Sequence, residues 1–167
     1  HRDLHSFPTR RSSDLIGIIG EKLDLPFYDF IQAEFVTPYI HPGNKVSSMV
    51  GFNMAGIDIQ VGKDVAMQIA AMSPVSIDVA DVPKEVMDKE YEIGKEQARN
   101  EGKPEDMLDK IAQGRLQKFY KESTLLNQAF IKDNKITIKQ YLEQQKKGLA
   151  PVRSEEHTSE LQSPNTI

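Results

Sequence analysis

The sequence predicts an α+β fold: a small antiparallel sheet of about three strands packs against helices, and an antiparallel helical hairpin projects from it. Three observations carry this expectation. β-Branched and aromatic residues crowd the stretch from Lys22 to Phe52. Val61, Val65, Ile69 and Met72 recur at helical spacing, with Ala66 and Ala70 beside them. Gly102-Lys103-Pro104 stops one helical pattern and restarts another, because glycine closes a helix in the left-handed region and proline opens one with its fixed φ.

Taken in order, the strands are expected at roughly Lys22 to Ala33, Glu34 to His41 and Lys45 to Asn53, with Pro42-Gly43-Asn44 turning the chain between the last two. Pro26 and Pro38 cannot donate to a ladder, so the sheet should be short and uneven. The helix carrying Val65 ends at Pro74 and should lie across one face of the sheet. An extended link follows, and Pro83 starts a heavily charged helix to about Asn100, which spans about 25 Å at 1.5 Å per residue. After Pro104 a second helix returns beside it, with Leu108, Ile111, Ala112, Leu116 and Phe119 on one apolar face. Asp133-Asn134 reads as a turn, and Thr137 with Gln140 has the form of a capping box before a last helix to about Gln145.

Composition narrows the function. The chain has 167 residues, no cysteine, a formal net charge of −4 and an isoelectric point near 5.6. Neither a disulfide framework nor a thiolate metal site is available. An acidic balance disfavours nucleic acid as a ligand, and no apolar run approaches a membrane span, so a cytoplasmic protein is expected. Residues 5–15, HSFPTRRSSDL, and 153–163, RSEEHTSELQS, resemble translated sequencing-library adapters. Residues 1–15 and 153–167 are therefore expected to be disordered tails outside the fold. Setting them aside removes Arg2, Arg10, Arg11 and Arg153 with Asp3, Asp14, Glu155, Glu156 and Glu160, leaving a net charge of −3. It also removes His1, His5 and His157, so His41 alone is left and no multi-histidine metal site is expected. What remains is expected to be a fragment: a core domain over residues 16–82 and 123–152, with a helical arm over 83–122.

Sites for cofactors are not apparent. Gly62-Lys63 lacks the earlier glycine of a phosphate-binding loop, Gly17 and Gly20 are too close for a dinucleotide fingerprint, and no Gly-x-Ser-x-Gly elbow occurs. Neither a cofactor nor a bound small molecule is expected. His41 reads as a polar residue at a hairpin mouth; a small enzyme would need an acid beside it, for which Glu34 or Asp29 could serve. A helical-arm module that binds some other protein is a further reading.

The run GKPEDMLDKIAQGRLQKFYKESTLLNQ over residues 102–128, followed by Phe130-Ile131, resembles the carboxy-terminal half of the bacterial elongation factor Ts family. The resemblance extends over Ile16 to Val152 and includes the helix GKDVAMQIAAMSP, which in the family packs on a three-stranded sheet of its dimerisation-type core domain. It implies an exchange factor, not an enzyme: a protein that binds the GTPase elongation factor Tu and promotes GDP release. It also implies contact residues. Tyr39, His41 and Gly43 match the family's Tyr-x-His-x-Gly hairpin, Ile19 and Gly20 match an Ile-Gly-Glu interface stretch, and Phe130 with Ile131 matches a pair that touches the nucleotide domain. No Thr-Asp-Phe segment, the family's wedge toward the magnesium and phosphate site, occurs in the chain, nor does the family's amino-terminal helical domain. A fragment of this kind is expected to bind and to exchange poorly.

Overall fold

Two strands and a helix over them make the centre of the computed structural model, which describes residues 17, 18, 20, 30–43 and 45–158. The chain divides into two units, residues 1–30 and 31–167. In the first unit Ile18 is exposed and Gly20 has a φ of +76°.

Strand β1 (Phe35–Ile40) pairs antiparallel with β2 (Val46–Phe52), in a register that sets Phe35 opposite Phe52 and Ile40 opposite Ser47. Alternation along the strands sends Thr37, Ser48, Val50 and Phe52 to the buried side. Helix α1 (Ile59–Met72) covers that side, capped by Asp58, whose carboxylate accepts from Gln60 N–H, and closed by Ser73 in the left-handed region. Val61, Val65, Ala66 and Ile69 are buried as the spacing predicted, whereas Met72 at the end of the stripe is largely exposed.

The third strand is not the expected one. Residues 22–29 of the expected Lys22 to Ala33 strand lie outside the described residues, and Phe30 to Ala33 is not a strand. Ile31 and Ala33 instead lie against the face of β2 at Gly51. The free edge of β2 is taken by β5 (Pro151–Thr158), so the sheet runs β1-β2-β5. Arg153 to Thr158 were expected within a disordered tail, and over those residues the structure differs. Their charged pattern hid a strand that needs only backbone groups on one side, as edge strands do.

Helices α2 (Lys84–Asn100) and α3 (Glu105–Ser123) form the antiparallel hairpin, turned at Gly102 with a φ of +73°. Gly94 lies against Ala112 at the seam, and Ala98 and Leu108 are buried there too, while Ile111, Leu116 and Phe119 are only half-buried. None of these belongs to the cluster around Val50, Phe52 and Val65 that forms the sheet core. At its base the hairpin is held by backbone bonds: Val75 N–H to Ser123 C=O at 2.8 Å, and Leu125 N–H to Ser76 C=O at 2.9 Å.

Beyond it come β3 (Ala129–Phe130), β4 (Asp133–Thr137) and α4 (Ile138–Gln145). The capping box forms as predicted, with Thr137 N–H donating to Gln140 Oε1 at 3.0 Å and Gln140 N–H to Thr137 Oγ1 at 3.3 Å. The turn sits two residues earlier than expected, at Ile131-Lys132, because Phe130 pairs with Asp133 and Asp133 uses its carboxylate to accept from Lys135 N–H. Among the described residues no helix is long and apolar enough to cross a membrane.

Candidate partner-binding surface

The loop between β1 and β2 is closed by His41 N–H donating to Val46 C=O at 2.9 Å. Tyr39 packs its ring on the sheet core, and its hydroxyl is hydrogen-bonded to His41 Nδ1 at 3.1 Å, the two rings meeting edge to face at 6.1 Å. The imidazole is exposed, yet it is oriented from the core through one tyrosine. Gly43 follows with a φ of +97°, in the left-handed region that a side chain disfavours. Ile40 beside it is 64 % exposed. The tip thus offers an imidazole, a phenol edge and an aliphatic side chain, a mixture suited to a protein surface.

Glu34, one of the acids considered for His41, stands before the far end of β1, roughly 20 Å away at strand rise. Asp29, the other, lies outside the described residues. No cluster of three His, Asp or Glu side chains is placed to hold a metal among the described residues.

The Phe130-Ile131 pair divides. Phe130 is 4 % exposed and stacks on Tyr141 at 4.3 Å between ring centroids, so it belongs to the core. Ile131, in the turn, is 41 % exposed. Both this turn and strand β2, which leads out of the β1-β2 loop, are hydrogen-bonded to α1. Ser48 Oγ, opposite Tyr39, donates to Ala66 C=O at 2.6 Å, and Ile131 N–H donates to Gln68 Oε1 at 2.9 Å. Of the Ile19-Gly20 stretch, Ile19 lies outside the described residues and Gly20 is exposed.

A second set of polar groups escaped the sequence reading. Asp64, almost buried, accepts from Gln60 Nε2 at 2.7 Å, Lys132 Nζ at 2.7 Å and the Tyr141 hydroxyl at 3.0 Å. Burial, with the bond to Asp64 second, pushes the Tyr141 phenol well above its ordinary range. Gln60, Asp64 and Gln68 recur every four residues beside the apolar stripe, a pattern that in sequence reads as the wet side of the helix.

A family model described as "Elongation factor TS" matches residues 7–158. The chain is 49 % identical over 140 residues to the elongation factor Ts of Porphyromonas gingivalis, covering 84 % of this chain and 51 % of that protein. It is 54 % identical over 138 residues to the elongation factor Ts of Cytophaga hutchinsonii, with 81 % and 50 % covered, and 48 % identical over 136 residues to that of Azobacteroides pseudotrichonymphae, also with 81 % and 50 %. The chain spans about half the length of the curated relatives it matches. With the helix, the hairpin arm and the Tyr39 to Gly43 loop in place and the match extending over most of its length, the chain belongs to the elongation factor Ts family.

Proposed function

We propose that this chain is a part of a translation elongation factor that binds elongation factor Tu and promotes release of its GDP in the cytoplasm. It acts as a guanine nucleotide exchange factor by binding, with no covalent step and no cofactor, nucleic acid or membrane involved. The observation that supports this best is the Tyr39 to Gly43 loop, where His41 is exposed but held in one orientation through Tyr39. Gly43 lets the loop turn, Ile131 supplies a second apolar contact, and Phe130 anchors that contact from below; Ile19 and Gly20 belong to the proposed contacts on the family resemblance alone.

Exchange follows from linkage. A factor that binds the GTPase better without GDP weakens GDP by the same ratio. The present residues include no Thr-Asp-Phe wedge, so binding here is expected to exceed exchange. The test is GDP release from elongation factor Tu at a chain concentration that saturates binding, beside a full-length factor. Saturated release is expected to be far slower than with the full-length factor, and His41→Ala is expected to weaken binding about tenfold, as for one oriented interface residue. Release at the full-length rate would overturn the division between binding and exchange, and unchanged affinity in His41→Ala would make it an ordinary turn residue.

A further inference from the structure

We propose that Gln68 is a positioning residue for the partner contact at Ile131, with Asp64 completing the same clamp; this rests on the reading of that turn as a contact with elongation factor Tu. A buried amide is costly unless its groups are satisfied, and Gln68 is fully buried. Its side-chain hydrogen bonds go to one segment. Nε2 donates to Gln128 Oε1 and to Ala129 C=O, each at 3.1 Å, and Oε1 accepts from Ile131 N–H at 2.9 Å. One helical turn earlier Asp64 takes Lys132 Nζ and the Tyr141 hydroxyl, and the Tyr141 ring lies on Phe130. Every residue from Gln128 to Lys132 is therefore tied to α1, directly or through Tyr141.

The tied element could not hold this shape by itself. β3 has two residues and its partner β4 five, and a hairpin that short is marginal in water. A leucine at position 68 would fill the same space without fixing the direction of the turn. The amide presents donors and an acceptor in one plane, and that sets Phe130 inward and Ile131 outward. Without it the turn is free to reorder, and binding then carries the cost of ordering it.

The test is a double-mutant cycle on elongation factor Tu affinity with the whole chain: Gln68→Met, Ile131→Ala and both together, each checked for a cooperative thermal melt. Each single change is expected to weaken binding about tenfold, and the pair about tenfold as well, because the first acts only through the second. A hundredfold loss in the pair, or wild-type affinity in Gln68→Met, would overturn the positioning role. Wild-type affinity in Ile131→Ala would instead remove the contact itself, and this inference with it. If Gln68→Met loses its melt, Tyr141→Phe replaces it, keeping the stacked ring and removing only the bond to Asp64. About threefold weakening that vanishes in the Ile131→Ala background is then expected; no weakening, or weakening that persists there, overturns the proposal.

Discussion

A methyl group at Gly62 would have no room. Its Cβ would stand 2.9 Å from Thr37 Cβ and 3.1 Å from the Phe35 ring, and closer still to Thr37 Oγ1. Glycine inside a helix ordinarily costs about 0.5–1 kcal/mol relative to alanine, whereas overpacking costs about 1–3 kcal/mol. Gly62→Ala is therefore expected to destabilise the chain by about 1–2 kcal/mol in urea titration. Thr37→Ala should relieve most of the loss, since Thr37 Oγ1 is buried and has no hydrogen-bond partner among the described residues. An increase in stability for Gly62→Ala would mean that α1 stands farther from β1. In the sequence this glycine was informative only as half of a failed phosphate loop. Gln68 was silent for a related reason: a residue type says whether it can hydrogen-bond, and only the arrival of Gln128 to Ile131 sixty residues later says with what.

The hairpin arm is joined across its seam by charge. Lys95 Nζ lies 2.9 Å from Asp109 Oδ1, and Arg99 Nε 3.0 Å from Glu105 Oε1, while Arg115 bonds both Gln97 and Glu101. Lys95, and after it the Tyr91 hydroxyl, holds the Asp109 carboxyl below its ordinary value, and Arg99 does the same for Glu105. A carboxyl with a depressed folded pKa contributes stability that is present above its unfolded value and lost as pH falls through the folded one. Asp109 in turn raises Lys95, whose contribution is lost only as pH rises past the lysine range. Arm helicity is thus expected to be level through neutral pH and to fall below about pH 4, in circular dichroism at low salt. Asp109→Asn with Glu105→Gln should flatten that fall; an unchanged acid limb would mean that these pairs contribute nothing. The apolar seam should matter more. Leu108→Ala is expected to cost about 2–5 kcal/mol, because a fully buried leucine leaves a cavity, and half-buried Leu116 should cost less. Here the helical period told which face is apolar, but not that Gly94 lies against Ala112, nor that Leu108 is buried while Leu116 is not.

The α+β architecture was legible because its signals are local: a helical stripe, a capping box, a Gly-Lys-Pro stop. Sheet membership is not local, and there the reading failed at the third strand. A charged strand such as β5 carries no apolar alternation, since only its backbone is asked to match β2. The buried residues at this end of the chain, Leu149 and Pro151, come before the charged run that starts at Arg153. Removing residues 153–167 is therefore expected to lower the melting temperature while keeping a single cooperative transition, and a chain without any transition would show that β5 is structurally required. The register of β5 has one more implication. Backbone N–H and C=O groups are common to nearly every residue, so β2 pairs with Arg153 to Thr158 through groups that do not depend on their side chains. An epitope or reporter segment grafted over residues 153–158 is therefore expected to pair with β2 in the same register.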